Sequence, residues 1–386
     1  MKFKAVMLAV LLPAMGVMCS ENIRKNEKFS ISALDKHMQT VPADDSGISY
    51  LPPDRAPFEL SGLYWYNIDG KFRRLPLAGR DVLPVNVDRL ADCPAGAKVR
   101  FRSDASKIHI RVRRAAFDAV DSMNYLVRAG FDLYVGDPGK EQFYRTSRSK
   151  VADTCFTALM FDARPEVPGG KVENKMRSFT LYFPLYHPVE SLEIGLPPGC
   201  KAAPPLPLAE DERPIVVYGT SITQGACASR PGLAWTNMLS RKIGRHVYNF
   251  GFSDGGKCEL PVAGVLASIE NPLLYIIDCE ANLGDAYTEK LEEFLPVLIK
   301  KHPQVPILVM SRYRMTYWKL HPLNVEKQKA LIEKLSARGA KVHFLDCSDI
   351  LGLDYAETLV DGLHANDMAF KLITEAVYNK IKTVIK

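Results

Sequence analysis

Near the middle of the chain a serine follows directly on a short apolar run, and near its end an aspartate and a histidine lie three residues apart. The serine is Ser221, in Tyr218-Gly219-Thr220-Ser221-Ile222-Thr223-Gln224-Gly225. A serine in this place, beside a glycine that permits a tight turn, has its hydroxyl at the carboxyl edge of a sheet. Such a hydroxyl is a weak nucleophile at neutral pH. It needs a base within hydrogen-bond reach, and that base needs a third group to orient it. Asp361-Gly362-Leu363-His364 supplies both: across a turn the carboxylate reaches one imidazole nitrogen and leaves the other to accept the serine proton. Each residue alone has a plainer reading. Ser221 could be a turn or helix-cap residue, Asp361 a cap of the last helix, and His364 an ordinary surface side chain. Their combination and chain order favour the relay.

The elements that must position them follow from the hydrophobic pattern. After Pro214, short apolar runs at 215–218, 247–250, 273–277, 307–310 and 342–345 alternate with segments of helical length at 234–243, 261–269, 289–300, 325–335 and 370–385. Strand then helix, repeated five times, predicts a parallel sheet covered on both faces, with ligands beyond the carboxyl ends of its strands. Residues 48–195 have a different period. Ile108, Ile110 and Val112 alternate with His109, Arg111 and Arg113, and turn signals such as Asp137-Pro138-Gly139 separate such runs, which predicts an all-β sandwich or jelly roll. The proline-rich stretch 196–213 reads as a linker, leaving 214–386 as the second domain.

Composition narrows the function classes. In 386 residues, 47% are hydrophobic, enough to fill a sizeable core, which argues against disorder and against a polytopic membrane protein. The net charge of +6 is spread along the chain, without the basic stripe that nucleic-acid binding needs. The eight cysteines form no CxxC and no zinc spacing, so neither a disulfide framework nor a metal site is expected; a serine relay of the kind above needs no cofactor. Lys2 and Lys4 followed by the apolar run 5–18 predict an export signal ending at Cys19, the position of a lipidated cysteine in a bacterial lipoprotein, with 20–47 as a polar tether. The expected product is an exported protein whose only link to the membrane is a lipid at Cys19.

These residues carry a family resemblance. The chain resembles the SGNH/GDSL hydrolases, and within them the bacterial branch with an amino-terminal GxDLY motif, here Gly130-Phe131-Asp132-Leu133-Tyr134. The resemblance implies an α/β, flavodoxin-like hydrolase domain with a five-stranded parallel sheet, preceded by the β-sandwich. It makes Ser221 the nucleophile, with Thr220 in place of the usual aspartate, and His364 and Asp361 the base and acid. Asn249-Phe250-Gly251-Phe252-Ser253-Asp254-Gly255-Gly256 is similar to the second block, whose later glycine gives an oxyanion N–H; Asp254 stands in its place. Asp278-Cys279-Glu280-Ala281-Asn282 is similar to the third, whose asparagine donates a side-chain N–H. The implied oxyanion hole is therefore Ser221, Asp254 and Asn282. A carboxylate at Asp254 would repel the oxyanion unless it points away or is neutralised by Lys257; alternatively Gly255 becomes the donor.

Other side chains read as structural. Cys227 and Cys258 follow the first two blocks and could line the cleft, though buried thiols are mostly inert packing; Trp235 packs the first helix rather than stacking on a sugar; Arg312 and Arg314 could meet an anionic substrate but read better as solvated; and Gly130 and Asp132 are turn residues holding the two domains together. The implied activity is hydrolysis of short-chain esters, acetyl above all, on carbohydrate through an acyl-enzyme. The alternatives are a lipase or thioesterase acting on longer chains, and a non-catalytic glycan-binding surface lipoprotein.

Overall fold

The computed structural model describes residues 47–115, 123–150, 153–163, 174–209, 211–316 and 324–385. The export signal, Cys19 and nearly all of the tether lie outside the described residues.

Two antiparallel sheets build the first half. Its elements in chain order are β1 (Ser49–Leu51), β2 (Glu59–Ser61), α1 (Tyr66–Asp69), α2 (Val85–Ala91), β3 (Lys98–Ser103), β4 (Lys107–Arg114), α3 (Tyr125–Ala129), β5 (Asp132–Val135), β6 (Gln142–Thr146), β7 (Cys155–Asp162), β8 (Arg177–Tyr182), β9 (Val189–Leu196) and β10 (Ala202–Ala203). One sheet has the order β1-β9-β4-β7, the other β10-β3-β8-β5-β6 with β2 paired to β3. The alternation in β4 sets the arrangement: Ile108, Ile110 and Val112 are buried while His109, Arg111 and Arg113 stay partly open. The buried set meets Val99, Phe101, Phe179 and Leu181 from the facing sheet in one core.

Two features depart from the sequence reading. The stretch read as a linker contributes β10, which pairs with β3, and Arg102 Nε donates to Pro204 O at 2.8 Å, so its proline-rich chain is laid along the sandwich. Moreover, Trp65, Leu75, Leu83, Val87 and Leu90, all before β3, pack into the core of the second half. The chain interlocks the two halves rather than joining them by a flexible connector.

The second half contains β11 (Ile215–Gly219), α4 (Ser221–Gln224), α5 (Trp235–Ile243), β12 (Val247–Gly251), α6 (Leu260–Ala267), β13 (Leu274–Asp278), α7 (Glu280–Leu283), α8 (Tyr287–Lys301), β14 (Ile307–Met310), α9 (Val325–Ala337), β15 (Val342–Leu345) and α10 (Asp367–Val384). All five strands are parallel in the order β12-β11-β13-β14-β15. The order reverses at β11 and β13, so the segments after these strands flank the switch-point crevice where such sheets bind ligands. Close approach there requires glycine. A Cβ on Gly219 would fall 2.2 Å from Thr223 Oγ1, and one on Gly251 would fall 2.1 Å from the Gln224 nitrogen.

Lys98 on β3 is buried and donates to Ser240 Oγ on α5, joining the halves. Burial, with Arg100 beside it, brings its ammonium from the ordinary 10.5 down to about 7. Between those values the folded chain binds fewer protons than the unfolded one, so wild-type stability falls as pH drops through this window and stops changing on this account below it. The Tm of Lys98→Met relative to wild type should therefore rise as pH is lowered from about 10 to about 7. A difference that stays constant over that range contradicts the burial of a titrating amine.

Candidate active site

Strand β11 delivers Ser221 to the sheet's carboxyl edge as the first residue of α4. Thr220 caps that single turn, its hydroxyl accepting the Ile222 N–H at 3.2 Å, and left-handed Gly225 (φ 100°) ends it. Ser221 is 6% exposed. Its Oγ lies 2.9 Å from His364 Nε2, and His364 Nδ1 lies 2.7 Å from Asp361 Oδ2. Asp361 Oδ1 accepts the backbone N–H groups of Leu363 at 3.1 Å and His364 at 2.8 Å. Burial alone would raise this carboxyl, but the His364 N–H, its ring and the Leu363 N–H outweigh that and hold it below the usual carboxylate range. A charged Asp361 favours the tautomer protonated on Nδ1, which leaves Nε2 free to take a proton from Ser221.

The histidine loop is anchored from several sides. The Val360 N–H donates to His364 O at 2.8 Å, and Tyr313 OH to Leu363 O at 2.9 Å. Asn366 caps α10, accepting the N–H groups of Met368 and Ala369, so the capping role that Asp361 could have held falls to another residue. Of the two thiols that could line the cleft, Cys227 stands beside the chemistry. Its sulfur, a carboxylate oxygen of Asp361 and a ring nitrogen of His364 all lie within 4.8 Å of one another. Cys258 and Trp235 are buried packing residues.

Asp254 sits at φ 51°, the left-handed region that glycine favours and that aspartate tolerates better than most residues. Its side chain is 86% exposed and pairs with Lys257 Nζ at 3.0 Å, so the carboxylate turns outward while the backbone stays where a glycine would put it. Among the described residues its N–H has no acceptor, whereas the Gly255 N–H donates to Phe252 O at 3.0 Å, which disfavours Gly255 as a substitute donor. The Asn282 side-chain amide donates to Gly255 O and so ties the second block to the third. The third block is fixed from below by buried Glu280, whose Oε2 accepts the Arg312 N–H at 2.7 Å and whose Oε1 lies 3.8 Å from Arg312 Nε. Arg312 is thus buried, not solvated as its position suggested: Glu280 repays the cost of taking it from water. Arg314 does lie at the surface, paired with Asp349 at 2.8 Å.

Residues from the first half complete the frame; of these, sequence reasoning found Asp132 and missed Arg74, Asn86 and Tyr186. Buried Arg74 donates to the carbonyls of Asn249 at 3.1 Å and Gly251 at 2.5 Å and lies over the Phe252 ring. Asn86 Nδ2 donates to Ser253 O at 2.6 Å, and Tyr186 OH meets Ser253 Oγ at 2.7 Å. Gln224 bridges to the same loop, accepting the Ser253 N–H at 3.0 Å and donating to Leu185 O at 3.0 Å. Among the residues that were missed, Gln224, three positions past Ser221, carried a signal of position. Asp132 of the GxDLY motif begins β5 rather than occupying a turn. Fully buried, it accepts Arg230 Nη1 at 2.9 Å, the Gly232 N–H at 2.7 Å and Thr146 Oγ1 at 2.6 Å, clamping the loop that follows α4. Gly130 ends α3, where a Cβ would fall 2.6 Å from Leu126 O.

With this geometry in place, the comparisons with known proteins are informative. Residues 212–382 match the model of the GDSL-like lipase/acylhydrolase family, and residues 48–201 match that of the GxDLY domain, the N-terminus of SGNH-hydrolase-type esterases. A GDSL-like lipase candidate from Bacteroides ovatus ATCC 8483 is similar at 28% identity and TM-score 0.76, over 87% of this chain and 98% of its own. The salicylyl-acyltransferase SsfX3 of a tetracycline biosynthetic pathway shares the fold at 17% identity and TM-score 0.70, over 88% and 98%. A family two carbohydrate esterase from Clostridium thermocellum, solved with cellohexaose, shares it at 13% identity and TM-score 0.51, over 75% and 92%. No curated protein matches the chain in sequence.

An outward, ion-paired Asp254 offers little repulsion to an anion forming at Ser221. Asp254→Gly should therefore leave kcat/KM for a small ester within about twofold, or about 0.4 kcal/mol. A tenfold rise would show that the carboxylate does reach the reacting centre.

Proposed function

We propose, from the match of residues 212–382 to the GDSL-like lipase/acylhydrolase family and of residues 48–201 to the GxDLY domain, that the protein is a serine esterase removing short acyl groups, acetyl above all, from carbohydrate. The observation that carries this reading is the unbroken hydrogen-bonded chain from Ser221 through His364 to Asp361. His364 Nε2 takes the hydroxyl proton as Ser221 Oγ adds to the ester carbonyl. Asp361 steadies the imidazolium. The N–H groups of Ser221 and Asp254 and the amide of Asn282 hold the tetrahedral oxyanion. Collapse expels the sugar alcohol, which takes its proton from His364, and leaves an acyl-serine. Water, deprotonated by the same imidazole, then releases the acid and restores the serine.

Two observations support the substrate class. A cavity of about 210 Å³ adjoins Asn282, the side chain assigned to the oxyanion, and is lined by Glu280, Asp285 and Arg312 among others, a polar surface that suits a hydroxyl-bearing substrate better than a long acyl chain. The fold is shared with an esterase crystallised with an oligosaccharide. Export with a lipid at Cys19 is part of the same reading; a Cys19→Ala protein that still partitions with membranes would refute the anchor.

The decisive assay is acetate release over a panel of acetylated glycans, with 4-nitrophenyl acetate and octanoate alongside. Wild type should release acetate and prefer the acetate ester, and Ser221→Ala should lower kcat by about 10⁴-fold or more. Preference for octanoate would point instead to longer acyl substrates. Glycan binding without acetate release would mark a binding protein.

A further inference from the structure

A second recognition site lies where the two halves meet. A groove of about 840 Å³ runs between the β6–β7 edge of the sandwich and the loop after α4. Phe143, Tyr144, Arg145 and Arg148 form its sandwich wall, and Ser229 and Arg230 its hydrolase wall. No carboxylate is found among the described residues that line it. Phe143 and Tyr144 are unusually open for aromatics, at 43% and 36% exposure. The Arg230 guanidinium stacks 3.6 Å over the Phe143 ring, and its charge is already matched by Asp132. Arg145 is held in place by Nη1 donating to Leu159 O at 3.0 Å and has no acidic partner among the described residues; neither has exposed Arg148. Among the described residues the groove therefore offers two guanidinium groups without an acidic partner, beside an aromatic platform, a combination that neutral ligands do not require.

Its position relates it to the reaction. The Ser229 N–H donates to Asp367 Oδ1 at 2.8 Å, and Asp367 follows His364 by three residues, so their Cα atoms are at most about 11 Å apart. The hydrolase wall of the groove therefore lies beside the start of the helix that follows the catalytic histidine. Building on the esterase reading above, we propose that the groove is a subsite for a uronic-acid residue of an acetylated acidic glycan. The sugar carboxylate would pair with the forked donors of Arg145 and Arg148, and the ring face would lie on Phe143 and Tyr144. Remote binding of this kind places a neighbouring acetyl ester at Ser221.

The test is calorimetric binding of a de-esterified oligogalacturonate to the full-length protein, compared with a neutral xylo-oligosaccharide, with acetate release measured in parallel. The acidic oligosaccharide should bind more tightly, and less so at high salt. Arg148→Gln should weaken that binding about tenfold and Arg145→Gln/Arg148→Gln further, with the neutral ligand unaffected. The ratio of kcat/KM on an acetylated uronate glycan to that on an acetylated neutral glycan should fall in step, through KM. Failure of wild type to bind the oligogalacturonate, unchanged binding in both variants, or equal loss on the neutral ligand would overturn the subsite. Arginine-dependent binding without acetate release from any glycan would support the groove while refuting the esterase reading.

Discussion

The contact between Ser221 Oγ and His364 Nε2 joins residues 143 positions apart, and the value of every other feature of the site depends on it. A hydroxyl gives up its proton to an imidazole only at hydrogen-bond distance and with the right tautomer, so both partners must be held to within a fraction of an ångström. The serine is fixed by a strand end and one capped helical turn too short to wander. The histidine is fixed by its own aspartate, by a backbone bond to Val360 and by Tyr313 through Leu363. Strand order sets the segments after β11 and β13 side by side and so brings Asn282 next to Ser221, while the loop that follows β15 carries His364 to the serine.

The sandwich is a brace for that arrangement. Asp132 reaches across to Arg230 and Gly232, just beyond the serine turn, while Arg74, Asn86 and Tyr186 hold the loop of the second block. Buried pairs such as Asp132 with Arg230 add little net stability, yet breaking one costs about 3–5 kcal/mol, since the remaining charge is left unmatched. Such a pair specifies a relative position of the halves more than it strengthens either. The same junction exposes Phe143 and Tyr144 beside arginines.

Much of this was legible in the residues. The alternation around Ile108, Ile110 and Val112 predicted a half-buried strand, and the short apolar runs after Pro214 predicted the parallel sheet, because burial period follows directly from strand geometry. The blocks around Ser221, Asn282 and His364 stood out by residue type and order, and the fold brings them to one edge. What could not be read were through-space relations between distant segments. Nothing around Arg74 distinguishes a buried arginine bound to β12 carbonyls from a solvated one, and the burial of Arg312 depends on Glu280, 32 residues earlier. Residues 202–203 looked like linker because prolines surround them, though a short edge pairing tolerates such neighbours. The direction of the Asp254 side chain depends on a backbone angle of 51° that residue type alone does not reveal.

The central claim is that His364 makes Ser221 a nucleophile. A fluorophosphonate reacts with an activated serine without any acyl or glycan preference, so its site of attachment tests the relay independently of substrate. Mass spectrometry of the labelled, proteolysed protein should place one adduct on Ser221, and His364→Ala should slow labelling at least a hundredfold. Labelling at another residue, or at Ser221 with an undiminished rate in His364→Ala, would contradict the account.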